Sequence, residues 1–173
     1  MTSVEFVLGS ITAVDVDAVV NAANVRLSDG SGVSGAIHRA SGPELAAACA
    51  KLGGCETGCA KVTAGFRLRA KWIIHAVGPV FGACSGREEE LLASCHLASL
   101  ARADEVGVKS IAFPAISTGS YGYPPDLAAP VAVKAVADAI AQGRTNVDRI
   151  VFAFLFDRER EPYRNAWRSV TGL

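Results

Sequence analysis

Val16-Asp17-Ala18-Val19-Val20-Asn21-Ala22-Ala23-Asn24-Val25-Arg26-Leu27-Ser28-Asp29-Gly30-Ser31-Gly32-Val33-Ser34-Gly35-Ala36-Ile37-His38-Arg39-Ala40 holds a short β-branched run, a small polar loop and the start of a helix, in that order. The apolar residues from Asp17 to Asn21 are contiguous rather than alternating, which suits a strand buried on both faces. The glycines at 30, 32 and 35 then give way to the helix formers of Gly35 to Ala40. The same grammar recurs outward along the chain. Val4 to Leu8, Lys71 to Val77, Ser110 to Phe113 and Arg149 to Phe156 read as strands, with Ala60 to Ala64 a weaker one. Pro43 to Leu52, Glu88 to Val106, Pro125 to Ala141 and Arg158 to Arg168 read as helices. Glu88 to Glu90 sit where a helix dipole favours negative charge, and Pro125 suits a first turn. Strands alternating with helices predict an α/β fold with helices on both sides of a largely parallel sheet. Residues 1–173 show no repeat or linker that would divide them, so one domain is expected.

Half of the residues are apolar, enough for a sizeable core, so disorder is excluded as the main state. Lys+Arg and Asp+Glu both number 17. With no net charge there is no bulk field to hold nucleic acid or an anionic membrane, and any anion must be bound by local geometry. The cysteines (Cys49, Cys55, Cys59, Cys84, Cys95) are odd in number and follow no visible signal segment. Reduced thiols and a cytoplasmic location are the expectation. No apolar run approaches the roughly 20 residues of a membrane helix. Cys55 and Cys59 are wrongly spaced for a redox pair, and with no second pair or nearby His they predict no metal site.

Two loops carry chemistry. The first, Asn21 to Ala40, leaves a strand and enters a helix. In an open α/β sheet such a loop lies at the carboxyl end of a strand, where ligands bind. Small residues and free N–H groups at the helix start suit an anion. The stretch also fits an ordinary βα turn whose glycines serve backbone angles. The second, Pro114 to Pro124, again joins a buried strand to Ser, Thr and Gly before a helix. Two such loops on one sheet suggest a diphosphate linking two sugars. Gly30 to Gly35 reads G-x-G-x-x-G, but Ala50 to Cys55 offers no acidic residue to complete a dinucleotide unit.

Four motifs together resemble a known family. Val16 to Asn24, Gly32 to Ala40, Ile74-His75-Ala76-Val77-Gly78-Pro79 and Ile116-Ser117-Thr118-Gly119-Ser120-Tyr121-Gly122-Tyr123-Pro124 are similar to those of macro domains, above all the MacroD-type branch. The likeness runs from about Phe6 to Arg164. It implies a three-layer α/β/α sandwich around a mixed, largely parallel sheet, whose crevice binds ADP-ribose. It implies removal of mono-ADP-ribose from Glu and Asp side chains of proteins, and deacetylation of O-acetyl-ADP-ribose. No cofactor or metal is implied, and a monomer is expected. By position, Asn24 matches the asparagine that orients the distal ribose. Gly32, Val33, Ser34 and Gly35 match the loop around that ribose and the diphosphate. Ser117, Thr118, Gly119, Ser120 and Tyr121 match the second phosphate loop. Phe156 falls where an aromatic often meets adenine. Ser10, Ile11, Ala22 and Ile37 complete the implied ligand-binding set.

The sequence departs from the family at two points. The usual opening Gly-Asp-Ile-Thr is here Gly9-Ser10-Ile11-Thr12. A neutral hydroxyl accepts a weaker hydrogen bond than a carboxylate, so adenine recognition is expected to weaken by about 1 kcal/mol unless Asp157 substitutes. The second is Ser34, which stands where the branch has an aspartate proposed to activate water. Loss of one positioned base costs about 10²–10⁴-fold, and a substrate phosphate oxygen is a possible replacement. Asp29 is a further catalytic candidate, but reads first as a turn former tolerant of left-handed angles. His38 and His75 are candidates for acid-base work because of their residue type, His75 reading first as a hydrogen-bonded interior residue. Cys49, Cys95, Trp72 and Trp167 read as packing residues, and Arg158 to Glu161 as a solvated helix face. An enzyme, whose water attacks either C1″ or the ester carbonyl, and a non-catalytic reader of ADP-ribose both fit these residues. Zero net charge counts against a binder of RNA or poly-ADP-ribose.

Overall fold

The computed structural model describes residues 1–173. Six strands form one sheet: β1 (Ser3–Leu8), β2 (Ala18–Ala23), β3 (Ala60–Ala64), β4 (Trp72–Val77), β5 (Ser110–Phe113) and β6 (Arg149–Phe154). Their order is β1-β6-β5-β2-β4-β3, and every neighbouring pair is parallel except β3 with β4. Five helices accompany them: α1 (Gly32–Ser41), α2 (Glu44–Lys51), α3 (Glu88–Glu105), α4 (Pro125–Ala141) and α5 (Asp157–Thr171). A short 3-10 turn, Ile11–Ala13, follows β1.

Strand periodicity sorts the core into two halves. Ala18, Val20, Ile74, Ile111, Phe113, Ile150, Phe152 and Phe154 face α3, α4 and α5. Val19, Ile73, Ala112, Val151 and Ala153 face α1 and α2. The α3–α5 side takes the aromatic bulk: Phe6, Phe152 and Phe113 stack in a row at 5.4 and 5.5 Å, and Tyr163 of α5 tilts onto Phe152 and Phe154. Cys49 and Cys95 lie buried in opposite halves, and Trp72 and Trp167 pack on the larger one. No helix is long and apolar enough to cross a membrane.

Most elements fall where the sequence places them, and the differences have reasons. Strand β2 runs on to Ala23 because Ala22 and Ala23 still pair with Ala76 and Val77 of β4. Helix α1 begins at Gly32, not Gly35, because Gly32 adopts a left-handed φ of 58° that turns the chain into the helix. Strand β6 ends at Phe154, and Phe156 instead serves as the N-cap of α5.

The strand order creates a switch point. From β2 the chain leaves toward β4 and β3, on the α1–α2 side; from β5 it leaves toward β6, on the α4 side. Strands β2 and β5 pair only at Ala18–Ile111 and Val19–Ala112, then part. The crevice between their carboxyl ends is where such folds bind ligands.

At the opposite end of these strands Asp17 ties them together. Its Oδ2 accepts the N–H groups of Lys109 and Ser110 at 2.9 and 3.0 Å, and its own N–H donates to Ser110 Oγ at 2.8 Å. The Lys109 N–H bond, opposed by partial burial and reinforced by Ser110, holds the carboxyl below its ordinary value of 3.8. A depressed folded pKa gives stability that is present above the unfolded value and is lost as pH falls through the folded one. Asp17→Asn should therefore be less stable than wild type to urea at neutral pH. The gap should narrow only as pH falls below the ordinary carboxylate range and through the lowered folded-state pKa, where the wild-type carboxyl is also protonated.

Candidate functional site

A cleft of ≈ 250 Å³ occupies the switch point. One wall is Ala22, Ala23 and Asn24 at the end of β2, with Gly30 to Ser34 at the entry to α1. The other is Ala115, Ile116, Ser117, Gly119, Ser120 and Tyr121 after β5. Gly78, at the end of β4, forms part of the floor. The size is near the lower edge of small-molecule pockets, so a ligand with several rings must extend beyond it. None of these residues is acidic, basic or histidine.

The polarity is therefore dipolar. The first N–H groups of a helix have no intrahelical acceptor. At α1 these belong to Gly32, Val33 and Ser34, while Gly35 N–H reaches Ser31 O at 3.3 Å. The second wall is shaped by Ser117, whose φ of 68° is left-handed although it carries a side chain. Such strain persists only where neighbours over-determine it, and it clusters at ligand sites. Here the neighbours are visible. Tyr123 N–H donates to Ser117 O at 2.9 Å, Phe81 N–H donates to Tyr121 O at 2.9 Å, and the Phe81 ring lies 4.8 Å from Tyr123. Through Phe81, the segment after β4 thus buttresses the second wall.

Two hydroxyls in the cleft lack any partner in the protein. Ser34 Oγ, on one wall, and Ser117 Oγ, on the other, belong to residues only 7% and 6% exposed. A buried polar atom left unpaired costs about 1–3 kcal/mol. Both residues line the cleft, but each oxygen is itself sealed from solvent, Ser34 Oγ beside Gly30 and Ser117 Oγ beside Gly78, where an added Cβ would stand 3.7 and 2.2 Å away.

Asn24 is fully engaged. Its Oδ1 accepts from Arg26 N–H and Ser28 N–H, both at 3.1 Å, and its Nδ2 donates to Ser28 O at 3.3 Å and Ser28 Oγ at 3.1 Å. It shapes its own loop and lines the cleft at once.

Of the residues singled out from sequence, Ala22, Asn24, Gly32, Val33, Ser34, Ser117, Gly119, Ser120 and Tyr121 line this cleft. Gly35 lies just behind it, where a Cβ would stand 2.6 Å from Gly30 O, so that loop and helix touch backbone to backbone. Thr118 is turned back, its Oγ1 donating to Ala115 O at 2.8 Å. Ile11 and Ile37 belong to the α1–α2 core. Ser10 caps the 3-10 turn, its Oγ bonded to Thr12 N at 3.3 Å and Thr12 Oγ1 at 2.7 Å. Asp29 is exposed, stands outside the cleft lining and accepts Gly30 N–H at 2.8 Å, without a left-handed φ. Phe156 stands outside the lining, half exposed, with the Arg158 guanidinium 4.4 Å over its ring. Asp157 opens α5 and pairs with Arg160 at 2.6 Å.

The histidines separate clearly. His75 is an interior residue: Nδ1 meets Asn21 Nδ2 at 3.1 Å and Nε2 meets Thr63 Oγ1 at 2.9 Å. Burial, aided by His38, pushes its pKa down to about 4, so it stays neutral near pH 7. His38, one turn beyond Ser34 on α1, is buried with Nε2 unpaired but does not line the cleft. Sequence reasoning did not single out Ala23, Gly30, Ser31, Gly78, Ala115 or Ile116 as ligand-facing. The signal for Gly78 was its place at the end of a strand, on the same sheet edge as Asn24.

The architecture and cleft define a class, and comparison with known proteins agrees with it. A family model described as Macro domain matches residues 20–132. The chain belongs to the macro domain family. It is homologous to ADP-ribose glycohydrolase MACROD2 of Xenopus laevis, with 48% identity over 162 residues. That match covers 93% of this chain but 39% of the relative, so the chain spans about two fifths of that protein. Macro domain-containing protein CT2219 of Chlorobaculum tepidum is 50% identical over 156 residues, 90% of either chain. Among solved structures, a variant of the Oceanobacillus iheyensis macrodomain with ADPR superposes with a TM-score of 0.94 at 35% identity, covering 99% of this chain and 95% of that one. The Trypanosoma brucei macrodomain in complex with ADP-ribose gives 0.87 at 36% identity, over 94% and 68%.

Proposed function

We propose that residues 1–173 form one macro domain that binds ADP-ribose in this cleft and hydrolyses mono-ADP-ribose from Glu or Asp of modified proteins, with O-acetyl-ADP-ribose as a second substrate. The observation that carries the reading is a cleft at the sheet's switch point that is lined by the free N–H groups of α1 and by no charged side chain. A diphosphate satisfies both walls. The distal ribose then lies by Asn24 and Ser34. Adenine extends along β6, which neighbours β5, toward Phe156.

The chemistry asks little of the protein in proton transfer. A carboxylate leaving group has an ordinary pKa of about 4 and departs as the anion, so no general acid is needed. The attacking water must lose a proton. With Ser34 in the cleft, a phosphate oxygen of the substrate accepts it, directly or through the Ser34 hydroxyl. The water oxygen bonds to C1″ as the C1″–O bond to the carboxylate breaks. The N–H groups of α1 hold the diphosphate where that oxygen faces the water.

The absence of any acidic or imidazole side chain from the lining favours a second reading, a non-catalytic reader. One experiment separates them. Release of free ADP-ribose from a protein mono-ADP-ribosylated on Glu or Asp is measured for wild type and Ser34→Asp, with calorimetry of ADP-ribose binding on both. We expect slow wild-type turnover and a rise of about 10²-fold in Ser34→Asp, the size of one positioned base. Binding without wild-type turnover makes the chain a reader. Failure of both proteins to bind ADP-ribose rejects both readings.

A further inference from the structure

Behind the first wall of the cleft lies a lysine that touches no part of it. Lys61 sits on the edge strand β3, and its Nζ donates to Leu52 O at 2.9 Å and Gly54 O at 2.6 Å. These carbonyls end α2 and begin a turn in which Gly53 and Gly54 are both left-handed, at φ 70° and 88°. An ammonium suits the place. It has only donors to offer, its bonds are charge-assisted, and the carboxyl end of a helix favours a cation.

The gripped turn grips the first wall in its own right. Cys55 N–H donates to Val25 O at 2.8 Å. Gly54 lies so close beneath that a Cβ there would stand 2.9 Å from the same oxygen. Val25 follows Asn24 directly, and Leu27 N–H closes onto Asn24 O at 3.0 Å. Leu27 is buried in the α1–α2 core with a left-handed φ of 57°, so the loop has little slack of its own.

We propose that Lys61 is a positioning residue for Asn24: by holding the Leu52–Cys55 turn, its ammonium fixes the Val25 backbone and with it the aim of the Asn24 side chain. The assignment rests on reading Asn24 as the residue that orients the ribose. It reaches Asn24 through four backbone groups, on Leu52, Gly54, Cys55 and Val25, none of which belongs to the cleft lining.

The test compares Lys61→Met, which keeps length and loses the donors, with Lys61→Arg, which keeps the charge and donors. Amide hydrogen exchange is followed over residues 24–30, alongside kcat and KM for ADP-ribose release and the melting temperature. In Lys61→Met, exchange over 24–30 should quicken while kcat falls about tenfold with KM nearly unchanged, the signature of a misaimed group. Lys61→Arg should restore both. Unchanged exchange at 24–30 overturns the proposal. So does exchange that quickens evenly over the whole chain with a lowered melting temperature, because Lys61 is then merely structural. Should wild type release no ADP-ribose, the hydrolase reading fails by itself, and the exchange comparison still decides on Lys61.

Discussion

Asn24→Ala should lower ADP-ribose release by about 10²-fold while weakening ADP-ribose binding far less, because a group that aims the reacting carbon acts mainly on the transition state. The site makes the expectation specific. Asn24 Oδ1 takes two loop N–H groups and its Nδ2 gives to Ser28 twice, so removal both opens the Asn24–Ser28 turn and deletes the donor. Asn24→Asp separates these effects. It keeps the Oδ1 acceptor for the Arg26 and Ser28 N–H groups, loses the donor with its two bonds to Ser28, and places a negative charge in the cleft. If the donor matters, Asn24→Asp is as slow as Asn24→Ala and binds more weakly. If only loop shape matters, Asn24→Asp recovers much of the rate. Turnover of Asn24→Ala equal to wild type would remove Asn24 from the mechanism. Kinetics and calorimetry on the three proteins read all of this.

The second large effect is expected at a residue with no side chain. A Cβ on Gly78 would fall 2.2 Å from Ser117 Oγ and 2.5 Å from Ile116 Cγ2. Ser117 cannot retreat easily, since its left-handed backbone is held by the Tyr123 N–H bond behind it. Gly78→Ala must therefore push the second wall into the cleft. We expect ADP-ribose affinity to fall at least about tenfold, and folding stability to fall by about 1–3 kcal/mol, the usual cost of overpacking. Adding Ser117→Gly removes the nearer clash and relieves the backbone strain. The double variant should recover part of both losses, a coupling that a double-mutant cycle measures. Unaltered affinity in Gly78→Ala would show that the second wall takes no part in binding.

What the sequence disclosed was what depends on neighbours along the chain. β2, β5 and β6 were legible because each is a contiguous apolar run buried on both faces, and the two loops because small polar residues follow those runs. The strand order was not legible, since pairing between Ala18 and Ile111 has no local signature. Nor was the floor at Gly78, whose role arises only when β4 lies beside β2. Ser10 and Phe156 show a different limit. Position brought both to notice, but Ser10's hydroxyl turns inward to Thr12, and Arg158 lies over the Phe156 ring. Which of several nearby partners a side chain chooses is a contest of close energies that residue type alone does not decide. Arg158 itself read as part of a solvated helix face.

The narrow pairing of β2 with β5 has a thermodynamic corollary. Each wall of the cleft hangs from a strand that lies far from the other along the chain and pairs with it at two residue positions only. The two-walled cleft exists only when both strands are in place, so ligand recognition and global folding are one coupled equilibrium. A ligand that meets only the folded state adds about 1.4 kcal/mol to its stability for each tenfold excess over the dissociation constant. The melting temperature of this small domain is thus itself a gauge of how much ligand surrounds it.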